Sequence, residues 1–234
     1  MPKNINITRC MRCGTCCLKG GPILHQEDKK ILLAGHIGYQ HLVTIRKGEL
    51  ALNPISGRLE PVHQELIKVR GKGKDWSCFF YAEKEASCAI YAHRLLECRL
   101  LKCWDTSGIM PVIGKNTIIR ADIINSNDPI MKVIETHEQE CSYQDVENLI
   151  SNLSEVDKSK NLAKLTDLVR KDLAIRSYAI SDLGLEAMFE LFIFGRTLFK
   201  VLSARGLTIR MAHGDPQRYS PELEPLLNTS FKFD

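Results

Sequence analysis

The residues most able to do chemistry are cysteines, which crowd into the first half of the chain. Eight of the nine lie between positions 10 and 103, and the ninth is Cys141. Four form a run with two-residue gaps that ends in an adjacent pair: Cys10, Cys13, Cys16 and Cys17. Four more are widely spaced along the following segment: Cys78, Cys88, Cys98 and Cys103. Two-residue gaps let a loop wrap successive thiolates around one centre, so the pattern predicts a metal-binding cysteine cluster.

The surroundings of the run favour ligation over packing. Arg9, Arg12 and Lys19 place positive charge beside it, and such charge favours thiolate over thiol. One or two of the eight cysteines are alternatively core residues that pack as small hydrophobes. That alternative does not suit the run itself, which lies in polar sequence.

The spacing leaves the grouping of the thiols open. Adjacent side chains point in different directions on any regular backbone, so we expect Cys16 and Cys17 to serve two centres, or one of them to be a non-ligand. Cys98 and Cys103 would lie ~140° apart on a continuous helix, so either the helix breaks between them or they face different things. Eight thiols complete two four-sulfur sites, or one site with spare thiols.

All-sulfur ligation suits either zinc or an iron–sulfur cluster. Zinc sites usually show two CxxC pairs, whereas a triple CxxCxxC run is closer to the ligation of a cubane. The preferred interpretation is therefore an iron–sulfur cluster of the 4Fe–4S type, with zinc as the alternative. Because the adjacent pair replaces the usual end of a ferredoxin run, a fourth ligand is expected from the distant cysteines.

Other candidate groups carry weaker signals. His93, between two of the spaced cysteines, is either a substitute ligand or an ordinary solvent-facing histidine. The segment 137–141 (HEQEC) lacks the second histidine of a metalloprotease motif. The sequence contains no nucleophile elbow, Walker loop or dinucleotide fingerprint, so it does not decide whether the protein is an enzyme.

Composition narrows the function classes. The 234 residues carry a mild net charge of +4 with no basic patch, so we expect no nucleic-acid partner. The first residues form no apolar leader, and the most apolar stretch, 185–202, carries four charges. We therefore expect no membrane span and a cytoplasmic protein. In that reducing compartment clustered cysteines are metal ligands or redox thiols, not disulfides.

The periodicity of the chain predicts an α+β fold. An irregular cysteine-rich metal-binding region with a small antiparallel sheet occupies 1–127, and a helical region, 128–234, packs against it as one compact unit. Strands are predicted at 41–46, 49–52, 65–69 and 117–124. Helices are predicted at 26–33, 92–102, 158–176 and 185–205, the last as a buried core helix.

Several short motifs together resemble one known family. They are Cys10-x2-Cys13-Gly-x-Cys16-Cys17, Glu27-Asp28, Trp76-x-Cys78-Phe79-Phe80, Cys88-Ala-Ile90-Tyr91-x2-Arg94 and Cys98-Arg99. Over about residues 9 to 105 the chain resembles the CxxCxxCC, or YkgJ-like, cysteine-cluster family, described as zinc- or iron-chelating. One departure is Leu95, where the family usually has proline. The resemblance implies metal binding by all the clustered cysteines except Cys103, which we add from its spacing.

Three functions are consistent with this resemblance. The first is a cluster carrier that transfers electrons, or an accessory subunit that docks on a protein partner or larger complex through its helical half. The second is an iron–sulfur-dependent protein-modifying enzyme, since flagellin lysine methylases carry a similar motif, although no glycine-rich site for S-adenosylmethionine is visible. The third is a structural zinc protein that unfolds on chelation.

Overall fold

The computed structural model describes residues 10–153, 157–210 and 222–225, with the backbone alone for 208–210 and 222–225. The described helices are α1 (Thr15–Leu18), α2 (Lys29–Leu33), α3 (Leu96–Leu100), α4 (Pro129–Glu140), α5 (Tyr143–Ser151), α6 (Lys158–Ser181), α7 (Glu190–Phe194) and α8 (Leu198–Ser203). The described strands are β1 (Leu42–Ile45), β2 (Leu50–Asn53), β3 (Arg58–Pro61), β4 (Leu66–Val69), β5 (Gly71–Lys72), β6 (Ser77–Cys78), β7 (Tyr81–Ala82), β8 (Ser87–Cys88), β9 (Leu207–Arg210) and β10 (Glu222–Pro225). The fold is α+β, as predicted.

Small antiparallel pairs make up all the described sheet structure. β1 pairs with β4, so that Leu42 faces Val69, and both side chains are buried. β2 and β3 form a hairpin whose turn is closed by Asn53, which accepts a hydrogen bond from the Ile55 amide at 2.9 Å. The strands predicted at 41–46, 49–52 and 65–69 are confirmed. β3 was missed because its side chains are largely exposed and show no apolar alternation.

The helical half follows the predicted pattern up to residue 181. Asp128 is the N-cap of α4 and Ser142 is the N-cap of α5, and each of these side chains accepts a hydrogen bond from a backbone amide of the first turn. Both helices pack against the long α6. No helix in the described part of the chain is long and apolar enough to cross a membrane.

The single helix predicted at 185–205 is wrong. A 3-10 turn precedes α7, and α7 ends at Phe194, before Gly195, whose φ of +68° suits glycine. A Cβ at Gly195 would lie 2.6 Å from the carbonyl oxygen of Thr44, so the chain bends where it meets β1. α8 then restarts with Thr197 as its N-cap. The apolar residues Phe192 and Phe194 are buried, as predicted.

The C-terminal end of α7 is capped by side chains from distant parts of the chain. Thr44 of β1 donates to the carbonyl of Phe192, and Arg120 donates to that of Ile193. Arg176 of α6 donates to the carbonyl of Phe194 at 3.2 Å. These donors satisfy carbonyls that the helix itself leaves without partners.

The strand predicted at 117–124 is also wrong, because the ion pairs of the buried Arg120 determine the conformation of this segment. It forms a 3-10 turn at Arg120–Asp122. The Arg120 guanidinium, 2% exposed, contacts Glu65 and Glu138, each at 2.6 Å. Arg46, fully buried, contacts the same Glu138 at 2.9 Å. This charge network joins the strand region to α4.

Of the two helices predicted in the cysteine-rich half, one is confirmed and the other is shorter than predicted. The helix predicted at 26–33 is confirmed, as a 3-10 turn followed by α2, and Gly35 after it has a φ of +73°. Only part of the helix predicted at 92–102 is present, as α3. Arg94 and Leu95 are extended, so the helix begins after them. It ends at Leu100, so Cys98 and Cys103 do not share one helix.

Candidate metal centre

The adjacent cysteines reach the centre of the cysteine-rich half because a glycine lets the chain approach it. Gly14 has a φ of +74°, and a Cβ on it would lie only 2.3 Å from Cε2 of Tyr81 on β7. α1 begins immediately afterwards and carries Cys16 and Cys17. It packs against β6, where Cys78 lies, while Cys88 lies on the neighbouring β8.

Four thiols meet at this point, and we name them the inner thiol group: Cys16, Cys17, Cys78 and Cys88. The thiol of Cys17 lies in hydrogen-bonding range of the other three. The structure thus brings the thiols of Cys16 and Cys17 together, whereas we expected them to serve two centres or one of them to be a non-ligand. The reason is that neighbouring Cβ atoms on a helix are only about 100° apart, so both thiols reach the same side of the single turn of α1.

Hydrogen bonding within the inner thiol group shifts the pKa values of its members in opposite directions. Contact with the other three thiols raises the pKa of Cys17, which keeps its proton. The hydrogen bond from Cys17 is in turn the main reason why the pKa of Cys16 is lowered to about 6, and that of Cys88 likewise to about 6. The same hydrogen bond lowers the pKa of Cys78. A cluster of thiolates around one protonated thiol is an attractive site for a cation.

Two further groups take part in the electrostatics of the inner thiols. The Arg94 guanidinium also lowers the pKa values of Cys16 and Cys88. The thiol of Cys98, on α3, is a fifth sulfur beside the group. Burial, and then the charges of the neighbouring thiolates, raise the pKa of Cys98, so it stays protonated.

The remaining three clustered cysteines are exposed, and we name them the outer thiol group: Cys10, Cys13 and Cys103. Slight burial raises the pKa of the Cys103 thiol, and so do the nearby charges of Cys16, Cys13 and Cys10. The exposure of the outer thiols distinguishes them from Cys17, Cys78 and Cys88.

Side-chain contacts fix the loop that carries the first two outer thiols. Arg12 lies over the ring of Tyr91 at 4.1 Å, and Arg94 lies over the same ring at 3.8 Å. The Thr15 hydroxyl lies 3.2 Å from the Cys13 sulfur, and this hydrogen bond lowers the pKa of Cys13. These cation–π contacts hold the loop against the segment before α3.

The donor set fits a metal ion, although the thiols are not yet spaced as ligands. Within the described residues, no group of three or more His, Cys, Asp or Glu side chains is arranged so that it could hold an ion. The sulfur atoms of hydrogen-bonded thiols are spaced differently from those of thiolates bound to one cation, and metal binding requires the thiol protons to be released. Four sulfurs with no oxygen ligand match the chemistry of zinc and of iron–sulfur centres.

The other sequence candidates have surroundings or partners of their own. Cys141 is buried at the end of α4, where burial raises the pKa of its thiol to about 12. His93 is exposed and stacks on His36 with ring centroids 3.5 Å apart. His137 is buried and its Nε2 lies 2.7 Å from Asp172. Each has a packing role that the structure explains without a metal.

Sequence reasoning missed two contributors to the site. It gave no role to Thr15, which contacts Cys13, and none to Arg94 as a charge beside the inner thiols. Arg94 stood within a recognised motif, so its position relative to Cys88 was a usable signal. Thr15 carried no comparable signal, since a lone hydroxyl in a cysteine run is unremarkable.

The sequence model of one protein family matches residues 9–142, more than half of the chain; it is described as CxxCxxCC, a putative zinc- or iron-chelating domain. The chain belongs to the CxxCxxCC family. The resemblance seen over about residues 9 to 105 is thus confirmed, and the family match extends beyond that region to residue 142, so that it includes α4. Metal binding is the property that this family supports. No curated protein and no solved structure matches the chain.

Proposed function

We propose that the protein binds one zinc ion in the inner thiol group and uses it as a structural centre. The observation that carries this proposal is the contact of the Cys17 thiol with the other three. A tetrahedral ion with Zn–S bonds of about 2.3 Å holds its sulfurs about 3.8 Å apart, so the four thiols would have to release their protons and adjust their spacing to bind it. In a cubane each cysteine binds a different iron, so its thiolates are spread further apart.

A structural role follows from what the inner thiols join. The strands β5 to β8 have two residues each, and such short hairpins have little stability of their own. An ion bound by thiols from α1, β6 and β8 cross-links all three. Four cysteine ligands leave no open coordination position, which is typical of structural zinc sites. The free energy of metal binding then stabilises this half of the fold.

This proposal includes a reducing, cytoplasmic setting, because ligation needs the thiols free of disulfides. It also includes a protein partner or larger complex, for which a metal-stabilised surface would serve as a docking module. A pull-down that recovers one defined partner only from the metal-loaded protein would support that part.

The test is metal analysis of protein purified without oxygen, with two matched variants. We expect a colourless protein that retains about one zinc per chain after gel filtration. Cys78→Ser should lose this zinc, whereas Cys141→Ser should keep it; both remove a buried thiol, but only Cys78 belongs to the inner group. Retention of zinc by Cys78→Ser would overturn the proposal.

An iron–sulfur centre is the second candidate, and the CxxCxxC run of Cys10, Cys13 and Cys16 favours it, because a triple run of this spacing is typical of cubane ligation. A 4Fe–4S cluster there would support electron transfer to a partner protein or the chemistry of a larger complex. A brown protein with equal amounts of iron and acid-labile sulfide would select this candidate over zinc.

A further inference from the structure

Two neighbouring cavities form a groove between α2, α4 and the segment that leads into α7. The first cavity has a volume of about 380 Å³ and the second a volume of about 430 Å³. They share three lining residues, Tyr39, Ile123 and Phe189, which we name the ridge. No cysteine lines either cavity, so the groove belongs to neither thiol group.

The ridge is held in place by the fold itself. The Tyr39 ring stacks on Phe192 with ring centroids 4.6 Å apart, and the Tyr39 hydroxyl donates a hydrogen bond to the Ile123 carbonyl at 2.9 Å. Phe192 is buried in the core, whereas Tyr39 remains 38% exposed. The groove is therefore preformed, which lowers the conformational entropy that a partner must overcome on binding.

Both cavities present exposed apolar side chains. Leu33 lines the first cavity and is 87% exposed, and Leu183 lines the second and is 39% exposed. Together with the exposed ring of Tyr39 they make an apolar surface around a concave floor. Apolar surface of this kind, bordered by polar residues, is typical of interaction sites on soluble proteins.

The charges of the groove indicate the kind of partner. Three carboxylates and one ammonium line it, in a chain whose net charge is +4: Asp122, Asp128, Glu186 and Lys29. Asp128 caps α4, and Asp122 accepts a hydrogen bond from Gln26 at 2.9 Å. Glu186 is exposed, and within the described part of the chain its carboxylate has no hydrogen bond or ion pair. The groove thus complements a segment that combines apolar and basic side chains.

The backbone around the groove indicates the conformation of that segment. None of the residues that line the two cavities belongs to a strand, so an extended segment would find no strand edge to which it could add. An amphipathic helix needs no such edge, because it binds through apolar side chains that recur on one face at i, i+4 and i+7. Two cavities on either side of a ridge suit two such side chains.

We propose that this groove binds an amphipathic helix of a partner protein, which places one large apolar side chain in each cavity and a lysine or arginine beside Glu186. The inference goes beyond the metal centre and does not depend on which ion that centre holds. It assigns a partner surface to the face of the fold formed by α2, α4 and the residues before α7.

The test is selection against the full-length protein from a displayed library of helix-forming peptides of about 15 residues, in which apolar and charged positions are varied. Enriched peptides should carry at least two large apolar residues on one helical face and a basic residue beside them. Enrichment of extended or acidic sequences, or no enrichment at all, would overturn the proposal.

Paired variants then show where the selected peptides bind, with fluorescence anisotropy as the measurement. Leu33→Ser combined with Leu183→Ser should weaken binding at least about tenfold, whereas Leu52→Ser, an exposed leucine that lines neither cavity, should leave it unchanged. Glu186→Gln should weaken binding about two- to fivefold. Glu135→Gln removes the same charge from an exposed residue outside the groove and should have no effect.

The outcomes separate this inference from the proposed zinc centre. The substituted side chains are exposed, so the circular dichroism and urea midpoint of each variant should match those of the wild type. Undiminished binding to the double leucine variant would refute the groove as the docking site, and equal effects of the two glutamate variants would refute the ion pair. Either result leaves the zinc content of the protein unchanged, since no cysteine lines the groove.

Discussion

Replacing Gly14 by alanine tests how the cysteine run reaches the hairpins. The new Cβ would sit in a left-handed conformation, at a φ of +74°, and only 2.3 Å from Cε2 of Tyr81. The backbone conformation costs about 1–2 kcal/mol and the overlap about 1–3 kcal/mol. We therefore expect the zinc-loaded protein to lose about 2–5 kcal/mol in its free energy of unfolding.

The chain offers a matched control in Gly35. Its φ is +73°, almost the same, but a Cβ there would meet nothing within 4 Å. Gly35→Ala should therefore cost only the conformational part, about 1–2 kcal/mol. The difference between the two variants isolates the steric contact with Tyr81.

The assay is urea unfolding of each variant with bound zinc, together with zinc affinity by chelator competition. If Gly14→Ala relieves its strain by moving α1 away from the hairpins, 2 kcal/mol corresponds to zinc binding about 30-fold weaker. Adding Tyr81→Leu should recover part of this loss, a coupling that independent sites do not show. Equal effects of Gly14→Ala and Gly35→Ala, with zinc affinity unchanged, would refute the reasoning.

Three further predictions follow from the charges and thiols. Glu138→Gln should lower the free energy of unfolding by about 2–3 kcal/mol, which is less than for a fully buried pair because Glu138 is 32% exposed. Glu140→Gln, in an exposed ion pair, should change the free energy of unfolding by under about 1 kcal/mol. Urea unfolding measures both effects. Zinc affinity, measured by competition across pH, should fall as the pH drops, because zinc must displace the proton of Cys17. The fall should become steeper below about pH 6, where protons also compete for Cys16 and Cys88, whose pKa values are about 6; an affinity that stays constant down to pH 5 would contradict this. Chelation should open the hairpins β5–β8 to protease while the circular dichroism of α4–α6 persists, and simultaneous loss of both would show that the metal supports the whole fold.

Local pattern was enough to predict the regular parts of the fold. β1 and β4 are runs of apolar and β-branched residues, and α6 repeats apolar residues at helical spacing. The pattern failed where a distant partner decides the conformation. At 117–124 the buried Arg120 turns the chain towards Glu65, and at Gly195 the close approach of β1 ends a helix that the sequence alone would continue.

The sequence was enough to propose the cysteines of the candidate site, but not to divide them into the inner and outer thiol groups. Their number, spacing and polar setting indicated ligands. Which thiols meet depends on two hairpins with two-residue strands, and these carry no periodicity that a sequence reading can detect. The burial of Cys78 and the exposure of Cys103 were therefore visible only in three dimensions.

The cap of α7 has a consequence for the order of folding. Its donors come from residues 44, 120 and 176, so the helix end is complete only when three remote segments have arrived. Contacts of such long sequence separation require large loops to close first. α7 should therefore be among the last elements to form, after the folding transition state. Variants such as Thr44→Val should accordingly speed unfolding while leaving the folding rate almost unchanged, so this joint sets how long the native molecule persists.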